Sequence, residues 1–342
     1  MLSHVEVPLM SERNRTSRRD FLKQAAAGAM ALGAEGKLAL ADASHVSGNS
    51  RVVIARDRSL RGPDGTPAER RVAQLLDKAM MVFSGGTDPA QPWRRIARPG
   101  QTVSIKVNTL AGKGLSTHLA LVLAICERLQ QAGIRAEDIL VWDRDTSEME
   151  HAGFQVSTAA DRVQCYGTDR VGYEDDLVAY GSVGSRLSRI LTQRSDLLIN
   201  VPVLKDHDGA GVTIALKNMY VVIHNPNKFH TNGCNPYIAD VNMLPEVRSR
   251  MRLIVCDAMT AQYEGGPGYK PQYAWPYNGV LVAQDPVALD YTGWQIIEHK
   301  RAEMGLKTLE ADGRAPRYIA TAADEQHRLG VDVPEKITLL EA

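Results

Sequence analysis

Three lysines, each with a nearby Asn or His, lie where three separate apolar runs of the sequence end. They are Lys106 with Asn108 at the end of 103–107, Lys205 with His207 after 197–203, and Lys217 with Asn218 after 212–216. Ammonium groups attract carboxylate or phosphate as point charges, and a lysine removed from water can also act as a base or nucleophile. We therefore predict a site for a small anionic molecule, with Lys217 and His207 as catalytic groups and the other four as ligand-binding groups. The alternative is that the lysine stems merely cover apolar surface while their amines reach solvent.

Carboxylates stand at comparable positions. Asp143 follows 139–142, Asp257 follows 253–256, and Asp290 lies in the first turns of a segment that begins with Asp285-Pro286. We predict Asp257 as a catalytic acid–base group, and Asp143 and Asp290 as metal ligands. Each has a structural alternative, because Asp forms turns at strand ends and stabilises helix N-termini. Asp285 before a proline is typical of an N-cap.

Residues 206–240 are rich in Gly, Asn and Pro and contain several histidines, so an irregular loop is expected there. His207 and His230 with a nearby carboxylate would offer imidazole and oxygen ligands to a divalent metal, with His230 as the metal ligand. Alternatively, these histidines hydrogen-bond the loop to the scaffold. Further on, Gly265 and Gly266 would let the backbone approach a ligand closely, although a plain surface loop fits them equally.

The elements that must position these residues alternate between short apolar runs and helix-length amphipathic segments. The runs 139–142 and 279–283 predict strands, and the segment 238–250 predicts a helix. A further helix is expected from Ser116 or Thr117, which are natural N-caps, to Gln131, with Gly133 as a left-handed C-cap. Apolar strands 30–45 residues apart predict right-handed strand–helix–strand crossovers, and hence an α/β fold with a mostly parallel sheet and helices on both faces. Ligands of such sheets bind beyond the carboxyl ends of the strands. The layering is Rossmann-like, but the sequence has no GxGxxG fingerprint, Walker A loop or GxSxG elbow.

Composition narrows the function classes. The 342 residues include 40 Lys+Arg and 40 Asp+Glu, so the basic surplus of a nucleic-acid binder is absent. No apolar stretch is long enough to predict stable membrane insertion. The four cysteines are far apart in sequence and form no CxxC pattern, so no cysteine-ligated iron–sulfur cluster is expected.

The N-terminus has the order of an export signal. Arg18-Arg19 precede Phe21-Leu22-Lys23, a weakly apolar Ala/Gly-rich stretch follows, and Ala39-x-Ala41 suits a signal peptidase. The paired arginines favour the twin-arginine translocase as partner, and cleavage after Ala41 would release a periplasmic or exported protein. We predict a signal peptide over 1–41, a short linker over 42–50 and one α/β domain over 51–342.

Several blocks together resemble the family called domain of unknown function 362. They are Lys106-Val-Asn108, Asn200-Val-Pro-Val-Leu-Lys205-Asp-His207, Leu216-Lys217-Asn218, Gly265-Gly-Pro267 and Asp285-Pro-Val-Ala-Leu-Asp290. The similarity extends over roughly 50–340. The resemblance implies little chemistry: some relatives carry ferredoxin-type cysteine modules, which this chain lacks.

Three functions fit these observations. The first is an exported enzyme that binds an anionic small molecule, with or without a divalent metal, at the carboxyl edge of the sheet. The second is a non-catalytic periplasmic protein that binds a metal or solute through the same residues. The third is a redox accessory protein associated with an iron–sulfur or other imported cofactor. Turnover separates the first from the second, and an absorbance spectrum would reveal the third.

Overall fold

A computed structural model describes residues 49–342, so the predicted export signal and most of the linker lie outside the described residues. Strands and helices alternate along the chain. The strands are β1 (Ser50–Arg56), β2 (Val103–Lys106), β3 (Ile139–Trp142), β4 (Gln164–Cys165), β5 (Val178–Tyr180), β6 (Val183–Ser185), β7 (Leu197–Asn200), β8 (Val203–His207), β9 (Gly211–Thr213), β10 (Met251–Gln262), β11 (Ala274–Trp275), β12 (Gly279–Ala283) and β13 (Ile337–Glu341).

Ten α-helices of the described residues connect or cover these strands. They are α1 (Glu69–Ser84), α2 (Gln91–Ile96), α3 (Leu119–Gln131), α4 (Thr146–Ala152), α5 (Arg189–Gln193), α6 (Ala215–Asn218), α7 (Tyr237–Met243), α8 (Pro245–Arg248), α9 (Pro286–Glu303) and α10 (Tyr318–Ala323). No helix among residues 49–342 combines the length and the apolar character that crossing a membrane requires.

Eleven strands form one sheet, whose main path runs β13-β1-β12-β10-β7-β2-β3-β4. The pairs β10/β7, β7/β2, β2/β3 and β3/β4 are parallel, whereas β12 runs antiparallel to both β1 and β10. Strand β8 joins β10 in parallel and turns back antiparallel onto β9. The predicted α/β fold with a mostly parallel sheet is therefore confirmed, with an antiparallel strand inserted near one edge.

Alternating side chains of the central strands feed two separate hydrophobic cores. On β3, Ile139 and Val141 pack into one core with helices α1 and α3, while Leu140 and Trp142 pack into the other with α7 and α9. This alternation is the period-two pattern of a strand that is buried on both faces. We call these the α3 face and the α9 face of the sheet. Lys106 follows Ser104 on β2 and therefore points to the α9 face.

Some predicted elements are divided. The run 197–203 splits at Val201-Pro202 into β7 and β8, and the helix expected over 238–250 splits at Pro245, which begins a second short helix. The N-cap of α3 is His118 and not Ser116 or Thr117. The hydroxyl of Thr117 instead accepts from the Asn108 amide and donates to the Val201 carbonyl, tying two strand ends together.

Candidate functional site

The ends of β2 and β3 bring Lys106 and Asp143 together. Lys106 pairs with Trp142 in the parallel register, so the next residue of β3 faces the lysine, and Lys106 Nζ lies 2.7 Å from Asp143 Oδ1. The other carboxylate oxygen of Asp143 accepts from the backbone and side chain of Thr109. Lys106 is fully buried, and burial lowers its pKa. The charge of Asp143 opposes this shift. This is a buried ion pair with a fixed geometry.

A chain of carboxamides connects this ion pair to the second lysine, because Lys106 Nζ donates to Asn218 Oδ1 at 3.4 Å. Lys205 Nζ donates to Asn108 Oδ1 at 2.9 Å, and Asn108 Nδ2 donates to Asn218 Oδ1 at 3.0 Å. Asn218 Nδ2 in turn donates to Asn200 Oδ1 at 2.7 Å. Because each amide is both donor and acceptor, the chain fixes the orientation of every member. Burial lowers the pKa of Lys205 to about 8, with Asp143 and Asp206 opposing it.

Helix α6 carries Lys217 and is held from below by Asp290. Asp290 Oδ1 accepts from the amide of Ala215 at 2.7 Å, and Oδ2 accepts from Leu216 at 3.2 Å and from the Tyr318 hydroxyl at 3.3 Å. Burial raises the pKa of Asp290 to about 8, although these hydrogen bonds oppose the shift. Asp290 therefore positions the Lys217–Asn218 segment through its backbone.

Lys217 is buried next to aromatic rings. Its Nζ lies 3.4 Å from His230 Nε2 and 4.7 Å from the centroid of the Tyr220 ring. His230 Nδ1 is 3.1 Å from the Pro226 carbonyl, which can only accept, so Nδ1 carries a proton and Nε2 of the neutral ring is free to accept from Lys217. Burial lowers the pKa of Lys217.

His207 completes this side of the site. Its ring centroid is 6.1 Å from that of His230, and its Nδ1 accepts from the amides of Gly209 and Ala210. Burial, reinforced by the charge of Lys217 and neighbouring cations, lowers the pKa of His207 to about 2. His207 is therefore neutral, with its proton on Nε2.

The glycines predicted to bind a ligand support Lys205 through the backbone. The amide of Gly266 donates to Asp206 Oδ1 at 2.9 Å, and a Cβ at Gly266 would lie only 2.1 Å from the Asp206 carbonyl oxygen. Gly265 has a φ of 76°, which favours glycine. The resulting turn brings the carbonyl of Pro267 to 3.2 Å from Lys205 Nζ.

We call this group the lysine site. It consists of Lys106, Asn108, Asp143, Lys205, His207, Lys217, Asn218 and His230. Among the described residues, Lys106 is the one lysine of the three that contacts a carboxylate, so Lys205 and Lys217 are buried without one. The site thus carries more positive than negative charge.

Asp257 lies apart from these residues. Its neighbours Cys256 and Ala258 pack on the α9 face, so the side chain of Asp257 points to the α3 face. There, Asp257 Oδ2 lies 2.9 Å from His118 Nδ1. Sequence patterns did not single out His118, nor did they single out Asn200 and Tyr220, which contact Asn218 and Lys217 of the lysine site. Only Asn200 had a signal, since it ends an apolar strand in the same way as Lys106.

The three predicted metal ligands have separate partners: Asp143 has Lys106, His230 has Lys217, and Asp290 has the backbone of α6. Within residues 49–342, no group of three or more His, Cys, Asp or Glu side chains is arranged to hold a metal ion. The metal site stays a prediction. The four cysteines are buried free thiols, and burial raises the pKa of each.

Fold and site together define a mixed α/β protein with a buried cationic cluster at the carboxyl edge of its sheet. Residues 103–295, more than half of the chain, match the family described as domain of unknown function (DUF362), so the chain belongs to that family. This confirms the resemblance seen in the sequence. No match was found among curated proteins.

A solved structure of a Thermotoga maritima protein, determined by the Northeast Structural Genomics Consortium, is similar with a TM-score of 0.38 and 11% sequence identity. The similarity covers 64% of this chain and 56% of that one. This chain therefore spans little more than half the length of that relative.

Proposed function

We propose that the protein is an enzyme that binds a small anionic molecule at the lysine site. The observation that supports this proposal is the burial of Lys205 and Lys217 without a carboxylate in contact among the described residues. Removing an ammonium group from water is unfavourable by several kcal/mol unless an opposite charge compensates it. A carboxylate or phosphate ligand would supply that charge.

The charge of the site favours an anion over a metal cation. Lys106, Lys205 and Lys217 act on one another through their charges, since Lys106 and Lys217 both lower the pKa of Lys205. Carboxylate or phosphate bound between them would relieve this repulsion, whereas a divalent cation would add to it.

Lys217 and the two histidines would carry the chemistry. A lysine whose pKa is lowered exchanges protons more readily near neutral pH than an exposed one, and His230 Nε2 stands 3.4 Å away to accept a proton from it. Asp290 and the carboxamide chain would keep the amine in place, so they act as positioning residues. Lys106 and Lys205 would hold the anionic group.

Calorimetric titration of the protein with inorganic phosphate, sulfate and oxalate tests the proposal. We expect at least one anion to bind, and Lys217→Met to weaken its binding tenfold or more. Lys336→Met removes an exposed lysine and should leave affinity unchanged. Equal binding by wild type and Lys217→Met would contradict the proposal. Tight zinc binding that Asp143→Asn abolishes would favour the metal-binding alternative, and a visible absorbance band in exported protein would favour the redox one.

We further propose that the protein is exported by the twin-arginine translocase to the periplasm. The support is the order of Arg18-Arg19, Phe21-Leu22-Lys23 and Ala39-x-Ala41 in the sequence. Replacing both arginines by lysine keeps the charge and should abolish export, and the exported protein should begin at Asp42. Export that is unaffected by the two lysines would refute this.

A further inference from the structure

On the α3 face, His118 lies between a carboxylate and a hydroxyl. His118 Nδ1 is 2.9 Å from Asp257 Oδ2, and its Nε2 is 3.4 Å from Thr260 Oγ1. The same Asp257 oxygen also accepts from the backbone amide of His118 at 2.7 Å, and Oδ1 accepts from the amide of Met259. The carboxylate therefore holds both the ring and the backbone of the histidine.

Arg61 sets the direction of the proton on the threonine. Its Nη2 donates to Thr260 Oγ1 at 2.8 Å and to the Met259 carbonyl at 2.7 Å, and its Nε donates to Asn278 Oδ1. Because Oγ1 accepts from the guanidinium, its own hydrogen is free to point toward His118 Nε2. Asp257 accepts from Nδ1 of His118, so the proton of the neutral imidazole lies on Nδ1. Nε2 is therefore the nitrogen that can accept from Thr260.

Burial increases from the hydroxyl to the carboxylate. The Asp257 side chain is 0% exposed, that of His118 is 19% exposed, and Thr260 is half-buried. The threonine and the imidazole are thus partly exposed to solvent, while the carboxylate is shielded from water. This is the order that a hydroxyl nucleophile, its base and the group that orients the base require.

We propose that Thr260, His118 and Asp257 form a second active site, in which the threonine hydroxyl attacks a small ester with an apolar acyl group. The apolar preference follows from Leu119 and Leu123, which are exposed on the first turns of the helix that begins after His118 and lie on one side of it. This site is independent of the lysine site, because Asp257 points to the opposite face of the sheet from Lys106.

The step balances with water as the co-reactant. Oγ1 of Thr260 forms a bond to the ester carbonyl carbon as its proton passes to His118 Nε2, and the bond to the alcohol oxygen breaks as the alcohol leaves with that proton. Water then attacks the acyl-threonine, gives its proton to Nε2, and restores the hydroxyl as the carboxylic acid leaves. Arg61 orients Oγ1 by donating to it, and Asp257 is a positioning residue that stabilises the imidazolium.

An alkyl fluorophosphonate tests this without knowledge of the natural ester, since it forms an Oγ1–phosphorus bond with loss of fluoride. We expect peptide mass spectrometry to locate one adduct on Thr260. Thr260→Ser should keep the labelling, Thr260→Val should abolish it, and His118→Gln should slow it at least 100-fold. Thr321→Val, at a half-buried threonine of α10, is the matched control and should label like wild type.

Each contrary result is decisive once a thermal melt shows that the variant is folded. Folded wild-type protein that gains no adduct on Thr260, or an adduct that forms equally fast in His118→Gln, overturns the proposal. Asp257→Asn should shift the pH profile of labelling, because the charges that face the imidazole are Asp257 and Arg61. A profile identical to that of wild type would also overturn it. None of these outcomes depends on whether the lysine site binds an anion.

Discussion

His207 and His327 are both buried histidines, but they have opposite electrostatic surroundings. His207 lies beside Lys217 and Lys205, and its pKa falls to about 2. His327 lies between two carboxylates, with Nε2 2.9 Å from Asp240 Oδ1 and Nδ1 2.8 Å from Asp324 Oδ1. Burial disfavours its charged form, but the hydrogen bonds to Asp240 and Asp324 outweigh burial, so the pKa of His327 is raised.

The difference shows which buried charges have an opposite charge in contact within the protein and which do not. Around His327, the carboxylates of Asp240 and Asp324 balance the charge of the imidazolium. Asp240 also accepts from the backbone amide of Ser182, so the cluster joins α7 to the β5–β6 hairpin. Around His207, neither Lys205 nor Lys217 is in contact with a carboxylate among the described residues, although the charges of Asp143 and Asp206 raise the pKa of Lys205. We interpret the first cluster as structural and the second as a place for a ligand.

The largest expected effect comes from breaking the compensated cluster. His327→Ala should lower the free energy of unfolding by about 3 kcal/mol, because it leaves the buried carboxylate of Asp240 without its counter-charge. Urea unfolding at pH 6 measures this. His299→Ala is the matched control, since His299 is exposed and pairs with Glu303 on the helix surface, where such pairs contribute about 0.5 kcal/mol or less. A His327→Ala loss no larger than the control's would refute the structural interpretation.

The two histidines should also change stability with pH in opposite directions. The folded pKa of His207 lies below its unfolded value, so its contribution is complete above about pH 6.5 and is lost progressively as the pH falls toward 2. Between pH 6.5 and 5, wild type should lose about 1.5–2 kcal/mol more than His207→Asn, whose side chain can still accept from the Gly209 amide.

The pKa of His327 is higher in the folded than in the unfolded protein. Its contribution to the free energy of unfolding is therefore complete below the unfolded pKa and is lost as the pH rises through the folded pKa. Relative to His327→Gln, wild type should therefore lose stability as the pH rises above 6.5. Urea titrations of the three proteins across pH 5–9 check both signs. Parallel curves for wild type and either variant would contradict the corresponding assignment.

The sequence predicted the framework well because hydrophobic periodicity carries most of that information. Strands β3 and β12 were predicted over the residues that form them, and Gly133, with a φ of 97°, ends α3 as expected of a left-handed residue. The predicted start of α3 was wrong because side chains compete locally for hydrogen bonds. Thr117 did not cap α3, because its hydroxyl serves the Asn108 and Val201 backbone instead.

Strand ends also predicted which residues gather at the carboxyl edge, since parallel strands end on the same side. They did not predict to which face of the sheet each side chain points. Asp257 points to the α3 face and Lys106 to the α9 face, so the two lie apart. Nor did they predict pairing across long sequence distances: the contact of His118 with Asp257 joins the start of one helix to a strand 139 residues later. No short motif marks that contact.

The smallest expected effect comes from removing a charge that the fold does not compensate. Lys217 forms no ion pair with a carboxylate among the described residues, and its Nζ lies beside His230 Nε2 and the Tyr220 ring, so Lys217→Met should leave no buried carboxylate unpaired. Burial of an ammonium group without a counter-charge carries a desolvation penalty, so its replacement by an apolar side chain of similar size should be neutral or stabilising. We expect the free energy of unfolding without ligand to stay equal or rise by about 1 kcal/mol, as measured by urea unfolding at pH 7. Lys106→Met is the contrast, because it strands Asp143 and should lower stability by about 3 kcal/mol. If Lys217→Met destabilises as much as Lys106→Met, then Lys217 is compensated within the fold and the distinction between the two clusters fails.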